Sequence, residues 1–336
     1  MLPWPAAVLV LIRPMPYWVC RDYISTFIAL YTAELRQAFP SINVWNKKRK
    51  LIPSAMLCYH NINMSFGEAP MQPNIKLKEK LLLLVCALFL TSMSWATEPT
   101  VKNPQVDTPK RLLMIGNSYL YYGDSLHNVL RNLVIADNPA ITKALQYKSA
   151  TIGGASLDHH NIDWLTKPGQ IGVKEPFELV ILQGHSAAAI NDKQGAVHIE
   201  AAKKASALIA ERGGKVALYM PHSYVAPHNQ TAPENDQKNR DYYVKLGNEL
   251  NALVIPVGLA FAEAYKRDPQ IKLHKAYDGS HPSRAGTYLA AATVYAALYG
   301  RSPVGNSFDA FGEVDPKTRL FLQQVAWDTV KQFYGR

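Results

Sequence analysis

The sequence predicts an α/β protein, a three-layer α/β/α sandwich on a central, mostly parallel five-stranded sheet. Three observations predict it. From residue 111 onward, short apolar runs alternate with longer stretches whose apolar residues recur at helical spacing. Parallel strands joined by crossover helices produce that alternation. The breaks fall on turn-forming residues, at Gly213 and Gly214, Pro221 and Gly300. Hydrophobic residues make up 48% of the 336, the share of an ordinary globular protein, so a large core can be filled.

The elements follow in order. Residues 112–115 are a buried strand. Residues 124–136 are a helix, because Leu126, Val129, Leu130, Leu133 and Val134 fall on one face. Residues 145–150 form a second strand and 157–165 a short helix. Residues 177–182 (Phe-Glu-Leu-Val-Ile-Leu) are a strong central strand. An Ala-rich helix over 195–212 is closed by Gly213 and Gly214 as a C-cap. A strand over 215–220 ends at Pro221, and 234–250 is helical. A strand over 253–257 leads into a helix over 259–267. A helix of small residues over 283–299 stops at Gly300, and 316–333 is the last helix. In such sheets ligands sit at the carboxyl ends of the strands, which is where chemistry is sought.

The chain ahead of this domain has a different character. The formal charge of +10 divides into +6 for residues 1–96, from ten Lys/Arg against four Asp/Glu, and +4 for residues 97–336. No basic stripe with interleaved aromatics appears in the main domain, so nucleic acid is not an expected partner. A basic stretch from Met71 to Lys80 precedes ten apolar residues, 81–90, and then Ser94-Trp95-Ala96. That is the order of a secretory signal cut after Ala96. Ten apolar residues are too few to cross a bilayer, which takes about 20, so the mature protein is not expected to insert stably in a membrane. Cys20, Cys58 and Cys86 all fall in the first 96 residues, and the exported form would hold neither a disulfide nor a thiol nucleophile. Val85 before Cys86 does not suit lipid modification. Residues 1–70 keep no sustained period and carry a basic run over 47–50. They read as a disordered upstream extension, with the native start at Met71. Residues 97–110 read as a linker and 111–336 as the working domain. The expected location is periplasmic or extracellular.

Two short motifs carry chemistry. Ser118 stands just past the first strand, after Gly116 and Asn117, where a sharp turn presents a side chain above the sheet edge. Gly123-Asp124-Ser125-Leu126 offers a rival hydroxyl, but no strand precedes it. Asp124 or Ser125 there fits the N-cap of the first long helix, its side-chain oxygen meeting free backbone N–H groups. Near the other end, Asp278 and His281 stand three apart before Pro282 and a helix. A serine hydroxyl needs a base within hydrogen-bond reach, and a carboxylate fixes the tautomer of that base.

These residues resemble the SGNH hydrolase superfamily, the GDSL-type esterases. Gly116-Asn117-Ser118-Tyr119 looks like the first motif, and Asp278 with His281 looks like the last. The likeness runs over roughly residues 111–300. It implies an SGNH or flavodoxin-like sandwich, Ser118 as nucleophile, His281 as base and Asp278 as its orienter, with an acyl-enzyme released by water and no metal or cofactor. It also implies an oxyanion hole from the backbone N–H groups of Ser118 and Gly154, the latter in the Gly153-Gly154 pair. The third motif departs from the family. The usual Gly-x-Asn-Asp is replaced by Leu182-Gln183-Gly184-His185-Ser186, and Gln183 is the expected substitute amide donor. Tyr119, Tyr122 and His185 are candidates for the substrate wall.

A metal reading of His159, His160, His222 and His228 with Asp158 and Asp163 is set aside, because adjacent histidines do not easily share one ion and no His-Glu-x-x-His accompanies them. The first functional expectation is an exported serine esterase acting on acyl, especially acetyl, esters of small molecules or carbohydrates. A lipid esterase or lysophospholipase is the second. A non-catalytic binding module on the same fold is the third.

Overall fold

The computed structural model describes residues 97–336. The expected secretory signal, the upstream extension and the three cysteines lie outside the described residues. Five strands form one sheet: β1 (Arg111–Gly116), β2 (Gln146–Thr151), β3 (Leu179–Leu182), β4 (Lys215–Tyr219) and β5 (Leu253–Ile255). They lie in the order β2-β1-β3-β4-β5, and all pairings are parallel. This is the flavodoxin-like doubly wound order, whose switch point falls between β1 and β3. A crevice opens there because the connections leave in opposite directions.

The central strands are buried on both faces. Leu112, Leu113, Met114 and Ile115 of β1 and all four residues of β3 are fully buried. Such continuous apolar runs belong to sheets covered by helices on both sides. The helices are α1 (Ser118–Tyr121), α2 (Leu126–Asp137), α3 (Ile162–Leu165), α4 (Asp192–Glu211), α5 (Asn235–Leu250), α6 (Val257–Arg267), α7 (Arg284–Tyr299) and α8 (Pro316–Tyr334). In α2 the buried residues are Leu126, Val129, Leu130, Leu133 and Val134, the stripe its periodicity marks. Helix α7 is buried over nearly its whole length among α2, α6 and α8, and its alanines let those helices approach closely. Ser283 caps it, accepting the Gly286 N–H at 3.1 Å. No helix among the described residues is long and apolar enough to cross a membrane.

Several boundaries differ from the sequence expectation, each for a local reason. The helix expected over 157–165 is two single turns, Leu157–His159 and α3, because Asn161 breaks the run and caps α3 by accepting the Trp164 N–H at 3.0 Å. Helix α4 starts at Asp192 rather than Gly195, since Asn191 accepts the Gln194 N–H at 3.0 Å. Strand β5 stops before Pro256, which has no N–H for the ladder. Ser125 occupies the N-cap position of α2 with a φ of 65°, but its side chain makes no capping bond and its hydroxyl donates to the Tyr121 carbonyl at 3.5 Å. Asp124 pairs with Arg284 instead. Residues 97–110 form no regular element and run along the sandwich, with Val101 buried and Thr100 N–H donating to Asn248 at 2.8 Å.

Candidate active site

Strand β1 ends at Gly116, where a side chain would collide with Gln183 and Leu120. The bare glycine lets the chain turn tightly over the end of β3. Asn117 then fixes the turn. Its N–H donates to Gln183 Oε1 at 2.9 Å, and its Nδ2 donates to the carbonyls of Ala155 at 3.0 Å and Gly184 at 3.3 Å. Its Oδ1 accepts the Tyr119 N–H at 3.2 Å and so caps α1. One buried side chain thus ties together the loops after β1, β2 and β3. Ser118 follows as the first residue of α1, nearly buried, at the switch point.

The residues from the far end of the chain meet it there. His281 Nε2 lies 2.9 Å from Ser118 Oγ, and His281 Nδ1 lies 2.6 Å from Asp278 Oδ2. A carboxylate can only accept, so Nδ1 carries the proton and Nε2 offers its lone pair to the serine O–H. Asp278 Oδ1 also accepts the N–H groups of Ser280 at 2.8 Å and His281 at 3.0 Å. Burial pushes the Asp278 carboxyl up, but these N–H groups and the His281 ring outweigh it and hold the group below its usual value. It therefore stays ionised beside the imidazole. Gly279 makes this tight loop possible. It has a φ of +62°, and a Cβ there would strike the Val225 carbonyl.

The oxyanion candidates divide. The backbone N–H groups of Ser118 and Gly154 have no acceptor among the described residues. Gln183 does not fit its expected role as a donor to the oxyanion. It is fully buried, its Oε1 is taken by the Asn117 N–H, and its Nε2 donates to the Gly184 carbonyl at 2.7 Å. It braces the turn beneath the serine.

Nor does Tyr119 fit as a wall of the cleft. Its ring is buried against His222 at 4.3 Å and its hydroxyl meets Ser280 Oγ at 3.0 Å. Tyr122 is half-buried and stacks on the His281 imidazole with centroids 4.1 Å apart. Tyr121, 39% exposed, stacks on Tyr122, and Tyr277 beside Asp278 is 70% exposed. His185 is half-buried at the end of β3, its Nδ1 accepting the Ala187 N–H at 3.1 Å. The residues of the metal reading scatter. His159 is exposed, His160 is buried, His228 stacks on Tyr224, and Asp163 pairs with Lys167 and Arg212. Among the described residues, no three His, Cys, Asp or Glu side chains gather as a metal site needs.

No family model matches the chain, and no curated protein does. Solved structures similar to it are found. A DUF4886 family protein from Bacteroides uniformis shares 20% identity over 67% of this chain and 95% of its own, with a TM-score of 0.48. A catalytic mutant of the acetylxylan esterase Axe2 from Geobacillus stearothermophilus shares 16% identity over 60% of this chain and 98% of its own, with a TM-score of 0.45. The lipase/acylhydrolase from Enterococcus faecalis shares 22% identity over 57% of this chain and 96% of its own, with a TM-score of 0.43.

Asn117, Ser280 and His222 shape the site in ways the sequence does not assign to them. Asn117 had a signal, its place between a strand-end glycine and the serine. Ser280 had one too, lying between Asp278 and His281. His222 stood out only as a metal candidate, for only the fold brings it under that loop.

Proposed function

We propose that this chain is a serine esterase whose nucleophile is Ser118, with His281 as general base and Asp278 as its orienter. The observation that carries the reading is the unbroken line of hydrogen bonds from Asp278 through His281 to Ser118 at the switch point of the sheet. As the Ser118 oxygen attacks an acyl carbonyl, its proton passes to His281 Nε2. Charge then builds on the imidazole, where the ionised Asp278 stabilises it. The free N–H groups of Ser118 and Gly154 are the donors for the oxyanion. His281 returns the proton to the departing alcohol oxygen. Water, deprotonated by the same imidazole, then cleaves the acyl-Ser118 ester and frees the acid.

The substrate class is a short acyl ester, acetyl foremost, on a carbohydrate. The exposed rings of Tyr121, stacked on Tyr122, and of Tyr277, next to Asp278 in the chain, support this, since phenol faces stack on sugar rings and their hydroxyls bond to sugar hydroxyls. The reading includes export, with residues 71–96 removed as the signal and Thr97 as the new N-terminus. Sequencing the N-terminus of the secreted protein tests that part.

One observation favours a second reading, a binding module without catalysis. Gln183, the side chain that would have completed the oxyanion hole, is turned into the protein. The deciding experiment is active-site labelling. The purified protein should react with a fluorophosphonate and hydrolyse p-nitrophenyl acetate, and Ser118→Ala should abolish both. A native protein that neither labels nor turns over supports the binding module. Labelling that survives Ser118→Ala moves the nucleophile elsewhere.

A further inference from the structure

His222 lies just past the end of β4, fully buried. Its ring is sandwiched between Tyr119, at 4.3 Å and 3° from parallel, and Phe261 of α6, at 4.3 Å and 9°. Its Nε2 lies 2.9 Å from the Ser280 carbonyl oxygen, so Nε2 carries the hydrogen and donates. Its Nδ1 is buried with no partner among the described residues. A buried acceptor left unpaired is costly, so the placement asks for a reason.

The reason lies in the peptide that His222 grips. Ser280 C=O and His281 N–H belong to one rigid peptide plane. His222 holds the carbonyl end of that plane, and Asp278 Oδ1 holds the N–H end at 3.0 Å. With both ends held, the plane cannot rotate, and the direction in which the His281 side chain leaves the backbone is fixed. The same imidazole stacks on Tyr119, the residue after Ser118, whose hydroxyl meets Ser280 Oγ. Nucleophile and base, 163 positions apart, are thereby referred to one ring. The task calls for a flat group that also donates along its edge. Phenylalanine supplies only the first property and glutamine only the second.

We infer that His222 is a positioning residue, which sets the His281 imidazole against Ser118 by holding the Ser280–His281 peptide plane. The inference rests on the reading of Ser118, His281 and Asp278 as the triad. Misplacement by about 1 Å can slow an enzyme by about 100-fold, so a lost anchor should appear in turnover rather than in substrate binding.

The experiment compares His222→Phe, His222→Gln and His222→Asn with the native protein, using p-nitrophenyl acetate turnover and the rate of fluorophosphonate labelling. Phenylalanine keeps the stack and removes the donor. It should lower kcat and the labelling rate together, by about tenfold or more, with KM unchanged. Glutamine reaches the position of Nε2 and asparagine falls short of it. Glutamine should therefore retain about tenfold more kcat than asparagine at similar KM and similar thermal stability. A folded His222→Phe with kcat within twofold of native would overturn the inference. If that variant does not fold, equal kcat for glutamine and asparagine would overturn it instead. A native protein without hydrolysis or labelling sinks the triad reading itself, and is distinguished by needing no variant at all.

Discussion

Tyr119 and Ser280 share a hydrogen bond of 3.0 Å between their hydroxyls, both buried, across 161 positions of sequence. One follows the serine at the end of β1 and the other precedes the histidine of the last loop. The bond joins the two loops that must meet for any Ser–His chemistry. Burial raises the Tyr119 phenol well above its usual pKa, so it stays protonated and the bond is one between two neutral hydroxyls.

Tyr119→Phe removes this bond while keeping the stack on His222. It leaves Ser280 Oγ buried without its partner, at a loss of about 1–2 kcal/mol. For a domain of this size that lowers the melting temperature by roughly 2–8 °C. The stack and the Asp278 contacts remain, so kcat for p-nitrophenyl acetate should fall less than tenfold. Thermal unfolding and esterase assays on the same preparation check both parts.

Asp278→Asn should leave the fold intact and remove most turnover. The amide oxygen can still accept the Ser280 and His281 N–H groups, but its NH₂ then faces His281 Nδ1. Nδ1 becomes the acceptor and Nε2 the protonated nitrogen, which cannot take the serine proton. The expected loss in kcat is about 10⁴-fold. A loss under tenfold, measured by initial rates on p-nitrophenyl acetate, would remove Asp278 from the proposed triad.

Gln183→Leu separates a brace from an oxyanion donor. As a brace, Gln183 satisfies the Asn117 N–H and donates to the Gly184 carbonyl inside the protein. Leucine strands the Asn117 N–H and leaves the Gly184 carbonyl only its 3.3 Å bond to Asn117 Nδ2, at about 1–3 kcal/mol, while turnover stays within tenfold. An oxyanion donor would behave in the opposite way, with stability kept and kcat reduced about 100- to 1000-fold. Melting temperature and kcat together decide between them.

The two ends of the site were legible because their chemistry is compressed into few residues. Gly116, Asn117 and Ser118 mark a tight strand exit, and Asp278 with His281 fit within one loop. The strands were legible because β1 and β3 are buried on both faces and must be continuously apolar. The interior of the site was not legible. At a strand end, nothing in the sequence tells whether an amide such as Gln183 points outward or back under the neighbouring turn. Tyr119 reads as a surface aromatic until α1 is known to rotate it beneath the serine. His222 acquires its neighbours only when β4, α6 and the last loop converge, and no local spacing encodes that meeting.

The protein should lose stability steadily as pH falls from about 7 toward 4. His198 and His274 are buried, and burial lowers the pKa of each from 6.5 to about 4. Burial also lowers that of His222 well below the ordinary value. Among the described residues His198 meets the Tyr242 hydroxyl at 2.9 Å, and its Nε2 is buried with no partner there, so a second ring proton would find no acceptor among them. In the unfolded chain each imidazole takes its proton near 6.5, whereas in the folded chain His198 and His274 do so only near 4. Between those values the unfolded state holds more protons, and each step down in pH favours it. Three such groups tilt the unfolding free energy by up to about 4 kcal/mol per pH unit. Asp278, held below its usual value, adds to the loss only once pH falls through the carboxylate range. Urea midpoints taken between pH 8 and 4.5 should therefore decline most steeply below about 6.5. His198→Gln, which cannot take up a proton there, should flatten that decline by about a third. A native midpoint that stays level from pH 7.5 to 5 would mean that these imidazoles are protonated as readily in the folded protein as in the unfolded chain.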